Sequence, residues 1–370
     1  MRNRKIVIAG GGTGGHIFPA VAIAQQLRKM EPGMEILFIG AKGKMEMEKV
    51  PQAGFNIEGL DIAGFNRSSL IKNIWLPFKL VKSWLQVRGI FRRFRPDAAI
   101  GVGGYSSFPV LKYAQSTGIP TFIHESNSFA GRSNIMLGRG ATRIFVATEG
   151  MEKFFPADRI TVSGNPVRAS IASAARDREE AVRHFGLDPQ KPVVLVVGGS
   201  LGARSINEAI AAGADRIREA GMQLIWQTGK SFEGGRDGSV VARPGQWVGT
   251  FITEMDMAYA AADIIVSRAG AMAIAEITVM GRPAIFVPYP HAAEDHQTAN
   301  AQSMVQKGAG IMISDADAAS RLVDAVLELA RDPQRQEALK TGAAKLAIRD
   351  ADQRIARDIL ETLNKTGSHT

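Results

Sequence analysis

The sequence contains no cysteine. Disulfides, thiolate metal sites and cysteine nucleophiles are therefore excluded, and the composition fits a reducing compartment. No stretch approaches the roughly 20 apolar residues that a membrane-spanning helix needs. At the N-terminus, glycines follow directly after the short apolar run Ile6–Ala9. We therefore predict no signal peptide and a soluble or peripheral protein that stays on the side of the membrane where it is made.

The composition is otherwise that of an ordinary globular protein. Of the 370 residues, 45% are hydrophobic and 22% are charged. This length suggests two domains at roughly 100 to 200 residues each. Glycine, with 39 residues, is about half as frequent again as usual. Glycine-rich turns are typical of α/β proteins that hold ligands on their backbone.

Positive charge is concentrated in the first half of the chain. The net charge is +9, yet residues 1–164 hold 22 Lys and Arg against 11 Asp and Glu, while the remainder holds 23 against 25. A uniformly basic nucleic-acid binder would not divide in this way. The distribution instead favours two domains, one of which meets an anionic surface, and we expect no nucleic-acid partner.

Short apolar runs alternate with helical patterns along most of the chain. Such continuous runs are typical of parallel strands covered on both faces, so the pattern predicts an α/β fold built from βαβ units. The predicted strands are Lys5–Ala9, Glu35–Ile39, Ala98–Val102, Thr121–His124, Ile144–Ala147, Val193–Val197, Gln223–Trp226, Trp247–Phe251, Ile264–Val266 and Ala284–Val287.

The two halves of the chain repeat one design. Ile6–Gly15 and Val193–Ala203 each read as a strand, a glycine-rich turn and a helix start. A break follows Gly164. We therefore predict two doubly wound Rossmann-like domains, 1–164 and 165–370, facing across a cleft, with ligands at the carboxyl ends of their strands. The final helix, predicted at Asp352–Lys365, is not assigned to either domain by sequence, although it could pack back on the first.

The first glycine loop, Gly10–Gly15, precedes His16 and satisfies the spacing of a dinucleotide-binding turn. That interpretation also needs an acidic residue at the end of the second strand, which instead reads Leu37-Phe38-Ile39-Gly40. What remains is a loop of backbone N–H groups at a helix start, suited to a phosphate or pyrophosphate. The alternative is a tight turn without a ligand.

Two junctions in the second half have related chemistry. The loop Gly198–Arg204 offers backbone amides and the Ser200 hydroxyl to a phosphate. It lacks the Gly-Lys-Ser/Thr ending of a P-loop, which argues against ATP hydrolysis. Further along, Ser267–Glu276 opens a helix with small residues, and Glu276 could accept hydrogen bonds from a ribose diol. Alone, such a glutamate would more often be a solvated helix charge.

Polar residues also close three other strands. The stretch Tyr289–Asn300 contains two histidines and two carboxylates, but their spacing matches no familiar metal site, and we favour sugar binding. The segments His124–Asn127 and Gly103–Ser107 follow strands of the first half. Each could be a simple cap or turn, but their convergence at one sheet edge favours a site.

The segment Ile62–Pro96 contains no Asp or Glu. This composition is typical of an interfacial helix on anionic lipid. A core helix with solvated cations would explain the aromatic residues only in part. Its cations are Arg67, Lys72, Lys79, Lys82, Arg88, Arg92, Arg93 and Arg95. Interleaved with them are the aromatic residues Trp75, Phe78, Trp84, Phe91 and Phe94, and apolar residues such as Ile74, Phe78, Val81 and Leu85 recur at helical spacing.

Together these motifs resemble the MurG family, the peptidoglycan N-acetylglucosaminyltransferases that make lipid II. The resemblance spans essentially the whole chain. It rests on Gly10–His16 with Pro19, His124–Asn127, Gly164–Arg168, Gly198–Ser200 and Arg268–Glu276. It implies the glycosyltransferase-B type of fold. It also implies transfer of N-acetylglucosamine from its UDP form to the 4-hydroxyl of undecaprenyl-pyrophosphoryl-MurNAc-pentapeptide (lipid I), with inversion of the donor's α configuration.

The resemblance further implies residue roles in binding the donor. Ser200 would hold the diphosphate, Ile252 would offer backbone groups to uracil, Glu276 would bind the ribose diol and Gln297 the sugar hydroxyls. The Gln297 assignment depends on the alignment of His291–Gln297, a stretch that varies in the family. The remaining donor contacts would be Thr13, Gly14, Gly15, Asn127, Arg168, Ala271 and Met272.

On the acceptor side, the resemblance places the pyrophosphate at Gly10, Gly11, Gly12, Gly104 and Tyr105. The transfer needs a base, and we assign that role to His16 because it lies beside this loop; the alternative is that His16 binds or positions the acceptor. We expect no cofactor and no metal, because helix N-terminal amides and Arg168 could stabilise departing UDP. The Asp-x-Asp element Asp315-Ala316-Asp317 is interpreted as a helix cap. The basic segment would dock on the cytoplasmic face of the inner membrane, where the lipid acceptor lies.

Two alternatives remain at this point. A related lipid glycosyltransferase or a UDP-N-acetylglucosamine 2-epimerase could share the architecture, although the epimerase would have no use for a membrane segment. A non-enzymatic module that binds anionic surfaces would explain Ile62–Pro96 but not two glycine-rich sites.

Overall fold

The computed structural model describes residues 3–63, 76–172, 176–232 and 243–367. The chain divides into two compact units, Met1–Val167 with Asp350–Thr370, and Arg168–Arg349. Within the described ranges, no helix combines the length and the apolar character that crossing a bilayer requires.

The first unit is built on a seven-stranded sheet. Its helices are α1 (Gly14–Met30), α2 (Glu46–Gln52), α3 (Leu76–Phe94), α4 (Ser107–Ser116) and α5 (Arg132–Gly138). Its strands are β1 (Lys5–Ala9), β2 (Glu35–Ala41), β3 (Asn56–Leu60), β4 (Ala98–Gly101), β5 (Thr121–Glu125), β6 (Arg143–Val146) and β7 (Ile160–Val162).

The second unit is built on a six-stranded sheet. Its strands are β8 (Val193–Val197), β9 (Gln223–Gln227), β10 (Gln246–Gly249), β11 (Ile264–Ser267), β12 (Ala284–Phe286) and β13 (Ile311–Met312). Its helices are α6 (Ala169–Ala172), α7 (Arg178–His184), α8 (Arg204–Glu219), α9 (Met255–Ala261), α10 (Ala271–Met280), α11 (His296–Gln306), α12 (Ala318–Ala330) and α13 (Pro333–Leu346).

Both sheets are parallel throughout and doubly wound. The strand orders are β3-β2-β1-β4-β5-β6-β7 and β10-β9-β8-β11-β12-β13. In each sheet the order reverses beside its first strand, between β1 and β4 and between β8 and β11. Loops that leave the carboxyl ends of these strands diverge, which opens a crevice for ligands. The predicted α/β class with two Rossmann-like units is confirmed.

Alternate side chains of the central strands supply the cores. In β1, Val7 and Ala9 join the core on one face of the sheet, while Ile6 and Ile8 join the core on the other. All four are fully buried. Burial on both faces explains why the strand reads as an unbroken apolar run rather than an alternating one.

Three strands were missed by the sequence analysis, namely β3, β7 and β13. Each lies at an edge of its sheet. An edge strand has a neighbouring strand on one side only and is more exposed to solvent. It therefore does not need a continuous apolar run, and β3 reads Asn-Ile-Glu-Gly-Leu. The fourth edge strand, β10, was found but was placed one to two residues too late.

The C-terminal helix, α14 (Ala351–Gly367), belongs to the first unit. Ile355, Ala356, Ile359 and Leu363 are buried in the same core as Ile6 and Ile8. Their spacing of three to four residues places them on one helix face. The end of the chain therefore completes the hydrophobic core of the unit that contains its beginning.

Candidate active site

In the first unit, two glycine loops meet at the point where the strand order reverses. Gly10, Gly11 and Gly12 follow β1, and Gly103 and Gly104 follow β4. A Cβ on Gly104 would lie 2.6 Å from the Gly11 oxygen, and its φ of +83° favours glycine. The two backbones therefore touch, which brings the predicted acceptor loop together with Tyr105. The Tyr105 hydroxyl is buried and has no hydrogen-bond partner among the described residues.

His16 lies in the first turn of α1, directly after Thr13, Gly14 and Gly15. Its Nδ1 is 3.1 Å from the Gly11 carbonyl oxygen, with the Thr13 hydroxyl at 3.4 Å. Because a carbonyl oxygen only accepts, Nδ1 carries the proton and donates it to Gly11. In the neutral ring the lone pair is then on Nε2, the atom that a general base would use.

Glu46, the first residue of α2, was missed by the sequence analysis. It is 1% exposed, and its Oε2 accepts the Gly12 N–H at 2.8 Å. The end of β2 indeed lacks an acidic residue, but a carboxylate reaches the glycine loop from the next helix. The sequence offered no direct signal, because Glu46 and Gly12 are 34 residues apart.

Glu125 fixes the loop that carries Asn127. This glutamate is 3% exposed at the end of β5. One oxygen accepts the Asn127 backbone and side-chain N–H groups at 3.0 and 3.2 Å, and the other accepts from Gly131 at 3.0 Å and Asn134 at 2.9 Å. Four donors thus hold one carboxylate, so the Asn127 loop has little freedom to move.

His124 is fully buried between the Gly164 carbonyl and the Ser126 hydroxyl, each 3.4 Å from a ring nitrogen. The pKa of His124 is lowered from 6.5 to about 4, chiefly by burial and to a smaller extent by the nearby His16, while the hydrogen bond to Gly164 acts in the opposite direction. The ring is therefore neutral at physiological pH. Nε2 of His124 donates to the Gly164 carbonyl oxygen, so His124 carries its proton on Nε2, whereas His16 carries its proton on Nδ1.

In the second unit, two loops also approach closely, and they follow the neighbouring strands β8 and β9. A Cβ on Gly202 would lie 2.1 Å from the Thr228 oxygen, so only glycine allows this approach. Ser200 is exposed four residues before α8 begins. Its carbonyl accepts the Lys230 N–H at 3.2 Å. The loop that carries the exposed Ser200 hydroxyl is thus held by a hydrogen bond from the loop after β9.

Glu276 lies in α10 and is buried, with 4% of its surface exposed. The Tyr259 hydroxyl donates to its Oε2 at 3.1 Å, and the Arg168 Nε is 3.1 Å from its Oε1. Burial raises the pKa of Glu276, while Arg168 and Tyr259 act in the opposite direction. The sequence analysis did not identify Tyr259. Ala271 and Met272 form the first turn of the same helix, whose N–H groups point out of its end.

Ile252 and Gln297, the remaining predicted donor contacts of the second unit, each have a hydrogen-bond partner within that unit. The Ile252 N–H donates to Gln227 Oε1 at 2.9 Å, and Gln227 Nε2 donates to the Gly199 oxygen at 3.0 Å. Gln227 therefore ties the Ser200 loop to the segment after β10. Gln297, in the first turn of α11, accepts the Tyr289 N–H at 3.0 Å.

The Asp-x-Asp element is engaged by protein groups. Asp315 Oδ1 lies 2.5 Å from both the Arg268 guanidinium and the Ser205 hydroxyl. Asp317 directly precedes α12, but its side chain bonds to Ser314 rather than to the helix, so the predicted cap is wrong in its contacts. Among the described residues, no group of three His, Asp or Glu side chains is arranged to hold a metal ion.

The basic segment divides into an inward and an outward face in α3. Trp84 and Phe91 pack edge-on against Tyr113, so these two aromatic residues belong to the protein interior. Phe78, Val81 and Leu85 are 67%, 63% and 58% exposed. An apolar stripe at helical spacing therefore faces outward. Arg67, Lys72, Ile74 and Trp75 lie outside the described residues.

Comparison with known families matches both halves of the chain. Residues 6–146 match the glycosyltransferase family 28 N-terminal domain, and residues 193–355 match the family 28 C-terminal domain. A crystal structure of Acinetobacter baumannii MurG aligns at a TM-score of 0.78 with 29% identity, covering 97% of this chain and 99% of that one. A UDP-N-acetylglucosamine 2-epimerase aligns at a TM-score of 0.67 with 14% identity, a likeness of fold alone.

Curated relatives are similar over nearly their full length. A Phocaeicola vulgatus protein is 50% identical, covering 98% of this chain and 97% of its own. A Parabacteroides distasonis protein is 47% identical, covering 99% and 100%. Both are UDP-N-acetylglucosamine–N-acetylmuramyl-(pentapeptide) pyrophosphoryl-undecaprenol N-acetylglucosamine transferases. The chain therefore belongs to glycosyltransferase family 28 and, within it, to the MurG transferases.

Proposed function

We propose that this protein transfers N-acetylglucosamine from UDP-N-acetylglucosamine to lipid I, giving the lipid II of peptidoglycan synthesis. The observation that carries the proposal is the 50% identity to a transferase of that name over 98% of the chain. The acceptor atom is the 4-hydroxyl of the muramic acid, and the anomeric configuration inverts from α to β.

The donor binds the second unit. Glu276 accepts hydrogen bonds from the ribose hydroxyls, and Ile252 offers its backbone to uracil. In the structure, Arg168 is paired with Glu276 and the Ile252 N–H is paired with Gln227. Both contacts are polar and lie at the site, so the nucleotide exchanges them for its own hydrogen bonds at small net cost. Gln297 contacts the sugar, as do Thr13, Gly14, Gly15 and Asn127 of the first unit.

The acceptor binds the first unit, where Gly10–Gly12, Gly104 and Tyr105 surround its pyrophosphate. His16 Nε2 takes the proton of the 4-hydroxyl as that oxygen attacks the anomeric carbon. The bond from this carbon to the UDP oxygen breaks at the same time, and its electron pair leaves with UDP. A neutral imidazole with its proton on Nδ1 is the form that this step requires.

Charge that develops on UDP is stabilised by groups of this chain. The Ser200 hydroxyl and the first-turn amides at Ala271 and Met272 can donate to the diphosphate. Arg168, once released from Glu276 by the ribose, adds a guanidinium. These donors replace a divalent cation, and we propose that the transfer needs no metal.

The outward stripe of α3 docks on the membrane that contains the acceptor lipid. Phe78, Val81 and Leu85 insert among the lipids while nearby cations such as Lys79 and Arg88 meet anionic headgroups. The protein is thus peripheral on the cytoplasmic face of the inner membrane, through the segment Ile62–Pro96. It binds no nucleic acid.

Product analysis separates this function from the epimerase. With a short-chain lipid I analogue, the protein should give a disaccharide lipid and one equivalent of UDP. Without acceptor, UDP-N-acetylglucosamine should stay unchanged. Formation of UDP-N-acetylmannosamine without acceptor would contradict the proposal. The His16→Ala variant should lose turnover and keep its donor affinity, and normal turnover would remove His16 as the base.

A further inference from the structure

The Glu46 carboxylate is built into the first glycine loop. Its Oε2 accepts the Gly12 N–H at 2.8 Å, and its Oε1 accepts the Ala41 N–H at 3.0 Å. A Cβ on Gly11 or Gly40 would lie 2.3 or 2.5 Å from Glu46 side-chain atoms. Two glycines thus make room for this side chain, and two backbone donors fix both of its oxygens.

Glu46 and His16 bind opposite edges of one peptide group. The Gly12 N–H, which donates to Glu46, and the Gly11 carbonyl, which accepts from His16 Nδ1 at 3.1 Å, belong to the same peptide plane. In a trans peptide these two groups point in opposite directions. The carboxylate, the peptide and the imidazole therefore form one continuous line of hydrogen bonds.

Such a line is cooperative. A carboxylate that accepts from an amide N–H polarises the amide and strengthens its carbonyl as an acceptor. A stronger acceptor at Gly11 favours the proton on Nδ1. His16 also lies at the N-terminus of α1, where the helix dipole disfavours a positive imidazolium, and α1 has no acidic residue in its own first turn. Glu46 supplies that missing negative charge from another helix.

We propose that Glu46 is a positioning residue for His16, acting through the Gly11–Gly12 peptide to hold the imidazole in its Nδ1–H form and to support the imidazolium that forms during transfer. This inference rests on the proposed role of His16 as the base. Besides Glu46, the titratable groups near His16 and its loop include His124 and Tyr105. His124 is buried and neutral, so Glu46 supplies the negative charge.

The test compares Glu46→Gln with Glu48→Gln, an exposed glutamate of the same helix as the matched control. Glu46→Gln should lower kcat at least tenfold, leave the Kd for UDP unchanged and move the acid limb of the pH–rate profile to lower pH. Glu48→Gln should change none of these. A kcat loss with an unshifted acid limb would indicate a structural role only and would overturn the proposal.

A measurement on the unaltered protein does not depend on the folding of a variant. Nitrogen-15 chemical shifts of the His16 ring should show a protonated Nδ1 and an unprotonated Nε2 at neutral pH. The reverse tautomer would overturn the proposal. If His16→Ala keeps normal turnover, the proposed base fails. If His16→Ala is inactive while Glu46→Gln is unaffected, only the role of Glu46 fails.

Discussion

The proposal assigns recognition of the donor ribose to Glu276, a buried carboxylate held by Tyr259 and Arg168. We expect Glu276→Gln to raise the Kd for UDP at least tenfold, because an amide has one acceptor oxygen where two are needed. The variant should also lose the preference for UDP over its 2′-deoxy form in calorimetric titrations. Glu254→Gln, an exposed carboxylate of the same unit, is the control. An unchanged Kd in Glu276→Gln would contradict the ribose assignment.

The same residue predicts a pH dependence. Because burial raises the pKa of Glu276, protonation begins at a higher pH than in an exposed glutamate. A protonated carboxyl accepts fewer hydrogen bonds, so UDP binding should weaken as the pH falls towards that raised pKa. In Tyr259→Phe one bond that favours the carboxylate is lost, and the weakening should start at a higher pH. If UDP binding by the unaltered protein and by Tyr259→Phe had the same pH dependence, this prediction would be wrong.

His124 couples the stability of the fold to pH. Its pKa falls from 6.5 to about 4 on folding, so the unfolded chain takes up this proton first as the pH drops. Stability from this group is complete above pH 6.5 and is lost between pH 6.5 and pH 4. The free energy of unfolding should fall by about 3 kcal/mol, at 1.36 kcal/mol per pKa unit. Hydrogen exchange at the amides of β5 should show this loss on acidification, and His124→Gln should largely remove the pH dependence. An exposed histidine variant, His184→Gln, should not.

At the residue scale, sequence reasoning identified chemistry carried by short motifs and missed groups that only the fold brings close. Glu276 and His16 stand beside glycine-rich turns and could be found by position. Glu46, Tyr259 and Gln227 act on those sites from 17 to 34 residues away. Hydrogen bonds between loops of different strands leave no local pattern in the sequence.

Among the helices, α3 has the exposed face on which the membrane proposal depends. Replacing Phe78, Val81 and Leu85 together with serine should weaken binding to phosphatidylglycerol vesicles by roughly tenfold or more, because each loses apolar surface that would be buried in lipid. UDP binding should not change. Val305→Ser, at another exposed apolar residue, is the control. Undiminished vesicle binding in the triple variant would contradict the assignment.

The C-terminal helix α14 should contribute measurably to the first unit. Ile355 is fully buried there, so Ile355→Ala should lower the free energy of unfolding of the first unit by about 2 to 5 kcal/mol. Hydrogen exchange at the amides of β1 measures this cost directly. Glu361→Ala, on the exposed face of the same helix, should have almost no effect. Equal protection of β1 in Ile355→Ala and the unaltered protein would show that the helix does not support this core.

Strands that are continuous apolar runs were predicted well, and three of the four edge strands were not. β1 and β8 were placed with their observed bounds because strands buried on both faces must be apolar throughout. β3, β7 and β13 are edges, where solvent relaxes that requirement. In the basic segment, composition could not separate the inward Trp84 and Phe91 from the outward Phe78, since that depends on which helix face meets α4.

At the scale of the whole molecule, the two units repeat one βαβ design. Each copy has a glycine loop at its switch point, and the proposal assigns the lipid to the first and the nucleotide to the second. The charge agrees with this division, since the basic excess lies within residues 1–164. A unit that binds a nucleotide does not need an excess of basic residues, whereas a unit that docks on anionic lipid is attracted to it by such an excess.

The transfer reaction and its independence of metal can be measured together. Radiolabelled N-acetylglucosamine should pass from its UDP form to a short-chain lipid I analogue, and the rate should be the same with EDTA present. Such transfer would establish both the reaction and its independence of metal. An absence of transfer, while UDP-N-acetylglucosamine still binds, would contradict the proposed acceptor. Transfer that EDTA abolishes would contradict stabilisation of the leaving group by Ser200, Arg168 and the α10 amides.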